Sequence, residues 1–253
     1  MTPTQNPSVI LLDVEGTTTP ISFVYDTLFP YARAHMKEFL EQHKNNADLH
    51  CVIELLTTEN RDEASTLRPP VIHPSAAASD CSAYLFWLMD QDRKSPALKS
   101  IQGKIWEAGY TSGELKSVVF PDVPPAFVRW RENGRRIAIY SSGSVLAQQL
   151  LFRHTHTGDL TPWIEAYFDT SVGAKIDSSS YRKIAGTLHV SPEEILFLSD
   201  APAELEAAAL AELGVCLAKR PGNRETSQAP YASVSSFDDL SFERNAKGAK
   251  LAR

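Results

Sequence analysis

Val9-Ile10-Leu11-Leu12-Asp13-Val14-Glu15-Gly16-Thr17-Thr18-Thr19 places two carboxylates and a glycine directly after four apolar residues. A short apolar run that ends in an acid reads as a buried parallel strand. In open α/β sheets ligands bind beyond the carboxyl ends of such strands, so Asp13 is expected at the edge where chemistry occurs. Alternation along an extended chain points Asp13 and Glu15 the same way, and Gly16 permits a sharp turn that offers the amides and hydroxyls of Thr17 and Thr18 to an anion. A carboxylate pair beside anion-binding amides suits phosphoryl transfer through an aspartate nucleophile and a divalent ion. The same stretch also reads as a strand followed by a polar turn in which Asp13 caps a helix.

The 253 residues are 43% hydrophobic and 22% charged, a globular composition with enough apolar material for one large domain or two modest ones. A formal charge of -6 argues against a nucleic-acid surface, while leaving room for a local basic pocket that takes one phosphate. Cys51, Cys81 and Cys216 are widely spaced, which supports neither a disulfide framework nor a zinc site and fits a reducing cytosol. Residues 1–8 are polar, the apolar run after them is too short for a signal segment, and no stretch approaches the ~20 apolar residues of a membrane span. A protein without targeting signals, partnered by neither nucleic acid nor membrane, is expected.

Beyond the first turn, Leu28, Tyr31, Ala32, Met36, Phe39 and Leu40 recur at helical spacing. Residues 57–82 turn polar and proline-rich, and read as a long loop inside a helical region spanning 20–119. Helical spacing returns over 84–89 and 98–106, and Pro121 to Pro125 marks the start of a second α/β region. There, strands are expected at 136–140 and 195–198, with helices at 126–131, 145–152, 181–188 and 203–213. Such alternation implies an α/β fold, a Rossmann-like parallel sheet core built from 1–19 and 120–240 around an inserted helical cap domain. Residues 241–253 carry basic residues and little apolar surface, and read as a disordered tail.

Three more polar groups follow predicted strands. Ser141-Ser142-Gly143-Ser144 offers hydroxyls and free amides at a helix start, where a phosphate or an ordinary N-cap can be satisfied. Lys175 lies in a turn ahead of the 181–188 helix, where an ammonium can balance Asp13 and a phosphate, or simply be solvated. Ile195-Leu196-Phe197-Leu198-Ser199-Asp200 repeats the pattern of a buried strand ending in an acid, with Glu204 one turn further on, and Asp200 suits either a Mg²⁺ site of oxygen ligands or a helix cap. The order of these four segments supplies a nucleophile, phosphate donors, a cation and a metal-binding acid.

In that order the segments resemble the four motifs of the haloacid dehalogenase superfamily, with Glu15 where a second aspartate is more usual. The first motif, Ser141 to Ser144, Lys175 with Ser180-Tyr181-Arg182-Lys183, and Leu198-Ser199-Asp200 resemble in particular the enolase-phosphatase family of methionine salvage. Asp92-Arg93-Lys94, Gln102-Gly103-Lys104-Ile105-Trp106 and Arg220-Pro221-Gly222-Asn223 extend the resemblance from Val9 to about Leu240. It implies conversion of a small phosphorylated diketone, 2,3-diketo-5-methylthiopentyl-1-phosphate, to its enol and then to the acireductone and phosphate. It also implies one Mg²⁺ per subunit held by Asp13, Asp200 and the Glu15 main-chain carbonyl, with Asp13 as nucleophile. Ser141, Ser142, Thr17 and Lys175 would bind substrate, and Glu15 would move protons. Glu15, Arg93 and Lys94 are candidates for the enolisation base. The resemblance further implies a monomer in the cytoplasm, with the nucleus as a second location. Another phosphatase of the superfamily, acting on a different small ester, is the near alternative. A phosphoacceptor receiver domain is disfavoured by the helical insertion, and a silent scaffold by the presence of Asp13, Lys175 and Asp200.

Overall fold

Strand β1 (Val9–Leu12) is buried at every residue, which is why its sequence is an unbroken apolar run rather than an alternating one. It lies in a fully parallel sheet of order β3-β2-β1-β4-β5-β6, in a computed structural model that describes residues 6–63, 68–73, 78–223 and 230–242. The other strands are β2 (Arg136–Tyr140), β3 (Ala166–Phe168), β4 (Ile195–Ser199), β5 (Gly214–Ala218) and β6 (Ser233–Val234). β1 pairs with β2 on one side, Leu12 opposite Ile139, and with β4 on the other, Leu12 opposite Leu198. The strand order therefore reverses between β1 and β4, the place where open α/β sheets leave a crevice at their carboxyl edge. Asp13 and Asp200 leave the sheet on either side of that crevice.

The chain divides into two compact units, one made of Met1–Val24 with Lys116–Arg253 and the other of Tyr25–Leu115. The first holds the sheet, with helices α1 (Ile21–Phe23), α6 (Val123–Glu132), α7 (Val145–Arg153), α8 (Ser178–Leu188) and α9 (Pro202–Leu210). On one face of the sheet Tyr181, Ile184 and Leu188 of α8 and Leu205 and Ala208 of α9 join Val9, Leu11 and Phe197 in a continuous buried core. Each fully buried side chain of this size contributes about 1.5–3 kcal/mol of transfer free energy, so this stripe is a principal source of the unit's stability.

The second unit is helical, with α2 (Phe29–Gln42), α3 (Ala47–Asp62), α4 (Ser82–Asp90) and α5 (Pro96–Ser112). Ala32, Met36, Phe39 and Leu40 face inward from α2 at the spacing expected of one helical stripe. Ser95 caps α5 by accepting from Leu98 N, Pro96 occupies its first turn, and Gly113 ends it in the left-handed conformation. Residues 57–62, expected to begin the long loop, are the last turns of α3. Thr57 and Thr58 donate their hydroxyls to the carbonyls of Ile53 and Glu54, four residues back, which satisfies them inside the helix. No helix among the described residues is long and apolar enough to cross a membrane. Of the expected tail, residues 243–253 lie outside the described residues.

One buried charge ties the sheet unit together. Arg220 stacks between Phe120 and Phe237, its carbon Cζ 4.7 and 4.2 Å from the ring centres, and Nη1 donates to Asp122 Oδ2 at 2.7 Å. Asp122 also accepts from the amide of Phe237 and the hydroxyl of Ser236. Asp122→Ala should lower stability by about 3–5 kcal/mol, because it strands a buried guanidinium without its counter-ion. A denaturant titration gives the number, and an unchanged midpoint would contradict this reading of the pair.

Candidate active site

Immediately after β1 the chain folds into a tight turn. Asp13 N donates to Leu198 O at 3.0 Å, which extends the β1–β4 pairing by one residue and fixes the carboxylate at the crevice. The amides of Thr18 and Thr19 return to Val14 O, Gly16 N donates to Thr19 O, and Thr18 Oγ1 bonds to the carbonyls of Asp13 and Val14. Gly16 sits at φ +66°, and a Cβ there would overlap the Asp200 carboxylate, so only glycine permits the approach of the first and last acidic segments. From the far side, Asn223 Nδ2 donates to Gly16 O at 2.8 Å and Arg220 Nε to Thr17 O at 3.0 Å. Thr17 is itself fully buried, and its hydroxyl has no partner among the described residues.

Lys175 reaches this turn from the loop between β3 and α8. Its Nζ lies 2.5 Å from Asp13 Oδ1 and 2.7 Å from Glu204 Oε2, all three side chains being largely buried. Ser199 Oγ donates to Glu204 Oε2 at 2.8 Å and lies 3.4 Å from Asp13 Oδ2. Burial works against the Lys175 ammonium, but the carboxylates of Asp13 and Glu204 outweigh it and hold the group charged above its ordinary range. An ammonium has three donors, so two carboxylates leave one for a substrate oxygen.

After β2, Ser141 is buried, and its hydroxyl accepts from Gly143 N at 3.1 Å, while Ser144 Oγ caps α7 by accepting from Ala147 N. Gln148 Nε2 donates to Gly143 O and Phe168 O, and so pins the loop from beneath. Ser142 is the half-buried residue between them. The helix-cap reading therefore belongs to Ser144, and Ser141 shapes the loop that presents Ser142. Arg93 and Lys94, the other candidates for a base, lie in the helical unit. There the Arg93 guanidinium pairs with Glu63 at 2.7 Å, and Lys94 is exposed.

Charge is unbalanced around Lys175. Burial first, and then the Asp13 carboxylate, push Glu15 up to about 7, Asp200 to about 6 and Glu204 to about 7. Four carboxyl groups thus share one ammonium, an arrangement that a divalent cation would relieve. Among the described residues no three His, Cys, Asp or Glu side chains form a metal cluster. The donors on hand are the carboxylates of Asp13 and Asp200 with neighbouring main-chain carbonyls, a hard oxygen set that suits a cation retaining several waters.

Glu204, Asn223, Arg220 and Gln148 are the residues of this site that sequence reasoning leaves with a minor role or none. Arg220 and Asn223 stand just beyond the end of β5, and that strand-end position is the signal that marks them.

A haloacid dehalogenase-like hydrolase model matches residues 7–212. The chain is 48% identical over 233 residues to "Enolase-phosphatase E1" of Synechococcus elongatus, covering 92% of this chain and 97% of that protein. It is 42% identical over 246 residues to the protein of the same name from Anopheles gambiae, covering 94% and 83%. The solved structure of the UTR4 protein of Saccharomyces cerevisiae is similar with a TM-score of 0.75 and 35% identity, over 93% of this chain and all of that one. CbbY from Rhodobacter sphaeroides, at a TM-score of 0.57 and 17% identity over 92% and 96% of the two chains, shares the fold. With its aspartate, serine, lysine and second aspartate segments all at the carboxyl edge of one parallel sheet, the chain belongs to the enolase-phosphatase family of the haloacid dehalogenase-like hydrolases.

Proposed function

We propose that the chain is an enolase-phosphatase of methionine salvage that converts 2,3-diketo-5-methylthiopentyl-1-phosphate, through its enol, to the acireductone and inorganic phosphate. The observation that carries the reading is the Asp13 carboxylate held against Lys175 at the crevice beside β4, with Glu15 raised to about 7 next to it. A carboxyl with that proton affinity takes up and gives back protons near neutrality.

In the first step a proton leaves the carbon that bears the phosphate ester and a proton is placed on the adjacent carbonyl oxygen, so the step is an isomerisation. In the second, an Asp13 carboxylate oxygen attacks phosphorus in line as the bond from phosphorus to the enol oxygen breaks, and Glu15 supplies the proton that oxygen takes. Lys175 neutralises Asp13 before attack and offers its remaining donor to the phosphoryl oxygens, together with the hydroxyl and amides around Ser142. Water then attacks the aspartyl-phosphate, its proton passes to Glu15, and phosphate departs with Asp13 restored.

Mg²⁺ would be held by Asp13, Asp200 and the Glu15 carbonyl, and when bound it supplies a positive charge that polarises the substrate carbonyl and offsets charge on the phosphoryl group. The protein acts as a monomer in the cytoplasm. Activity should disappear on chelation with EDTA and return with Mg²⁺, and the product should carry the acireductone chromophore. Full activity after exhaustive chelation would overturn the metal assignment, and release of the diketo alcohol would favour a plain phosphatase of the same superfamily.

A further inference from the structure

Lys175 has no helix or strand of its own to hold it. It sits in the loop that follows β3, yet its ammonium is placed within hydrogen-bond distance of two carboxylates. The main chain of that loop shows how. Tyr140 Oη donates to Gly173 O at 2.9 Å, Ser180 Oγ to Ala174 O at 2.8 Å and Tyr181 Oη to Lys175 O at 2.7 Å. Lys183 Nζ donates to Val172 O at 3.1 Å. Four consecutive carbonyls are thus bound by four side chains, all of them on rigid elements: Tyr140 ends β2, and Ser180, Tyr181 and Lys183 belong to α8.

We propose that Tyr140, Ser180 and Tyr181 form a carbonyl clamp that sets the position of Lys175 Nζ against Asp13, and that their hydroxyls act on catalysis through Lys175 as positioning groups. The inference rests on the role given to Lys175 above. Three features support it. Both tyrosines are fully buried and their rings meet edge to face at 5.5 Å, with Tyr181 also against Phe197 at 5.1 Å, so the two hydroxyls are held on immobile platforms. The apolar contacts of that core require only the rings, and phenylalanine would keep them. The hydroxyls are spent on the loop. Gly173 adopts φ +148°, open to glycine alone, and a Cβ there would overlap Ser180 Oγ, so the loop is shaped to admit the clamp. Lys175 Nζ, finally, lies 5.9 Å from the centre of the Tyr140 ring, so one residue both holds the loop and flanks the ammonium.

The test uses Tyr181→Phe and Ser180→Ala, singly and together, in the full chain with Mg²⁺ present. Assays with the diketo phosphate and with p-nitrophenyl phosphate are run at a temperature where thermal melts show each variant folded. Because a displacement near 1 Å in a catalytic group can cost up to ~100-fold, kcat should fall about 10-fold in Tyr181→Phe and about 100-fold in the pair, with KM within about threefold. In a Lys175→Met background the same changes should alter the residual kcat less than about twofold, since residues that act through one group are coupled. Equal losses in both backgrounds, or an unchanged kcat in the folded variants, would overturn the clamp. If the pair fails to fold, Tyr140→Phe answers the same question with one atom removed. A crystal structure of Tyr181→Phe supplies a readout that needs no activity, with Lys175 Nζ displaced from Asp13 on the clamp account and unmoved if the hydroxyl only satisfies a buried carbonyl. A wild-type protein that hydrolyses p-nitrophenyl phosphate but not the diketo ester would refute the substrate while leaving the clamp measurable.

Discussion

Asp13→Asn should stop phosphate release, lowering the rate by at least about a hundredfold in a protein of unchanged fold, because an amide is a very poor nucleophile. The substitution is nearly isosteric. The amide oxygen can still accept from Lys175 Nζ, now 2.5 Å from Asp13 Oδ1, so the loss would be one of chemistry and not of architecture. The same variant separates the two reactions. Enolisation moves a proton at carbon and has no need of an attacking carboxylate, so Asp13→Asn should still exchange substrate protons with deuterated water or accumulate enol. Phosphate release above about a hundredth of the wild-type rate would remove Asp13 from the nucleophile's role. Absence of both exchange and enol, while substrate and Mg²⁺ bind, would show either that Asp13 also serves the first step or that the chain is a plain phosphatase, and the product of the wild-type protein decides between them.

Lys175→Met is the second large effect expected. Methionine keeps much of the length and apolar character of the lysine stem and deletes its charge, leaving Asp13, Glu15, Asp200 and Glu204 without their one ammonium. Glu15, Asp200 and Glu204 already stand above the ordinary carboxylate range with Lys175 in place, and Lys175 opposes that rise in each of them. Without it these acids are pushed further toward the neutral form. Loss of a preorganised cation at a phosphoryl-transfer centre costs on the order of 10²–10³ in kcat. Single-turnover rates measure it, and a variant within about threefold of wild type would show that Lys175 is a structural counter-ion alone.

Much of this site is legible in the amino-acid sequence, and for a definite reason. β1, β2 and β4 are apolar runs buried in the sheet, and each is followed by a residue whose polarity is unexplained by burial: Asp13, Ser141 and Asp200. The strand predicts the position and the polar end predicts the chemistry. β3 and β6 are not legible in the same way, since three residues and two residues carry no period. The last turns of α3 read as loop because residues 57–82 taken together are polar and proline-rich, whereas the bonds of Thr57 and Thr58 to Ile53 and Glu54 exist only once the helix does. In the sequence Arg220 and Asn223 only extend the family resemblance and carry no role. Their work is done on Thr17 and Gly16, some two hundred residues away in sequence, and only tertiary closure brings those carbonyls to them.

Two reactions in order at one site leave a kinetic trace when wild-type protein, Mg²⁺ and the diketo phosphate are mixed and ultraviolet absorbance and inorganic phosphate are followed together from the first turnover. An enol absorbance should rise before phosphate appears and pass into that of the acireductone as phosphate is released. Phosphate released from the first instant with the diketo alcohol as product, and no enol or acireductone at any time, would contradict that order.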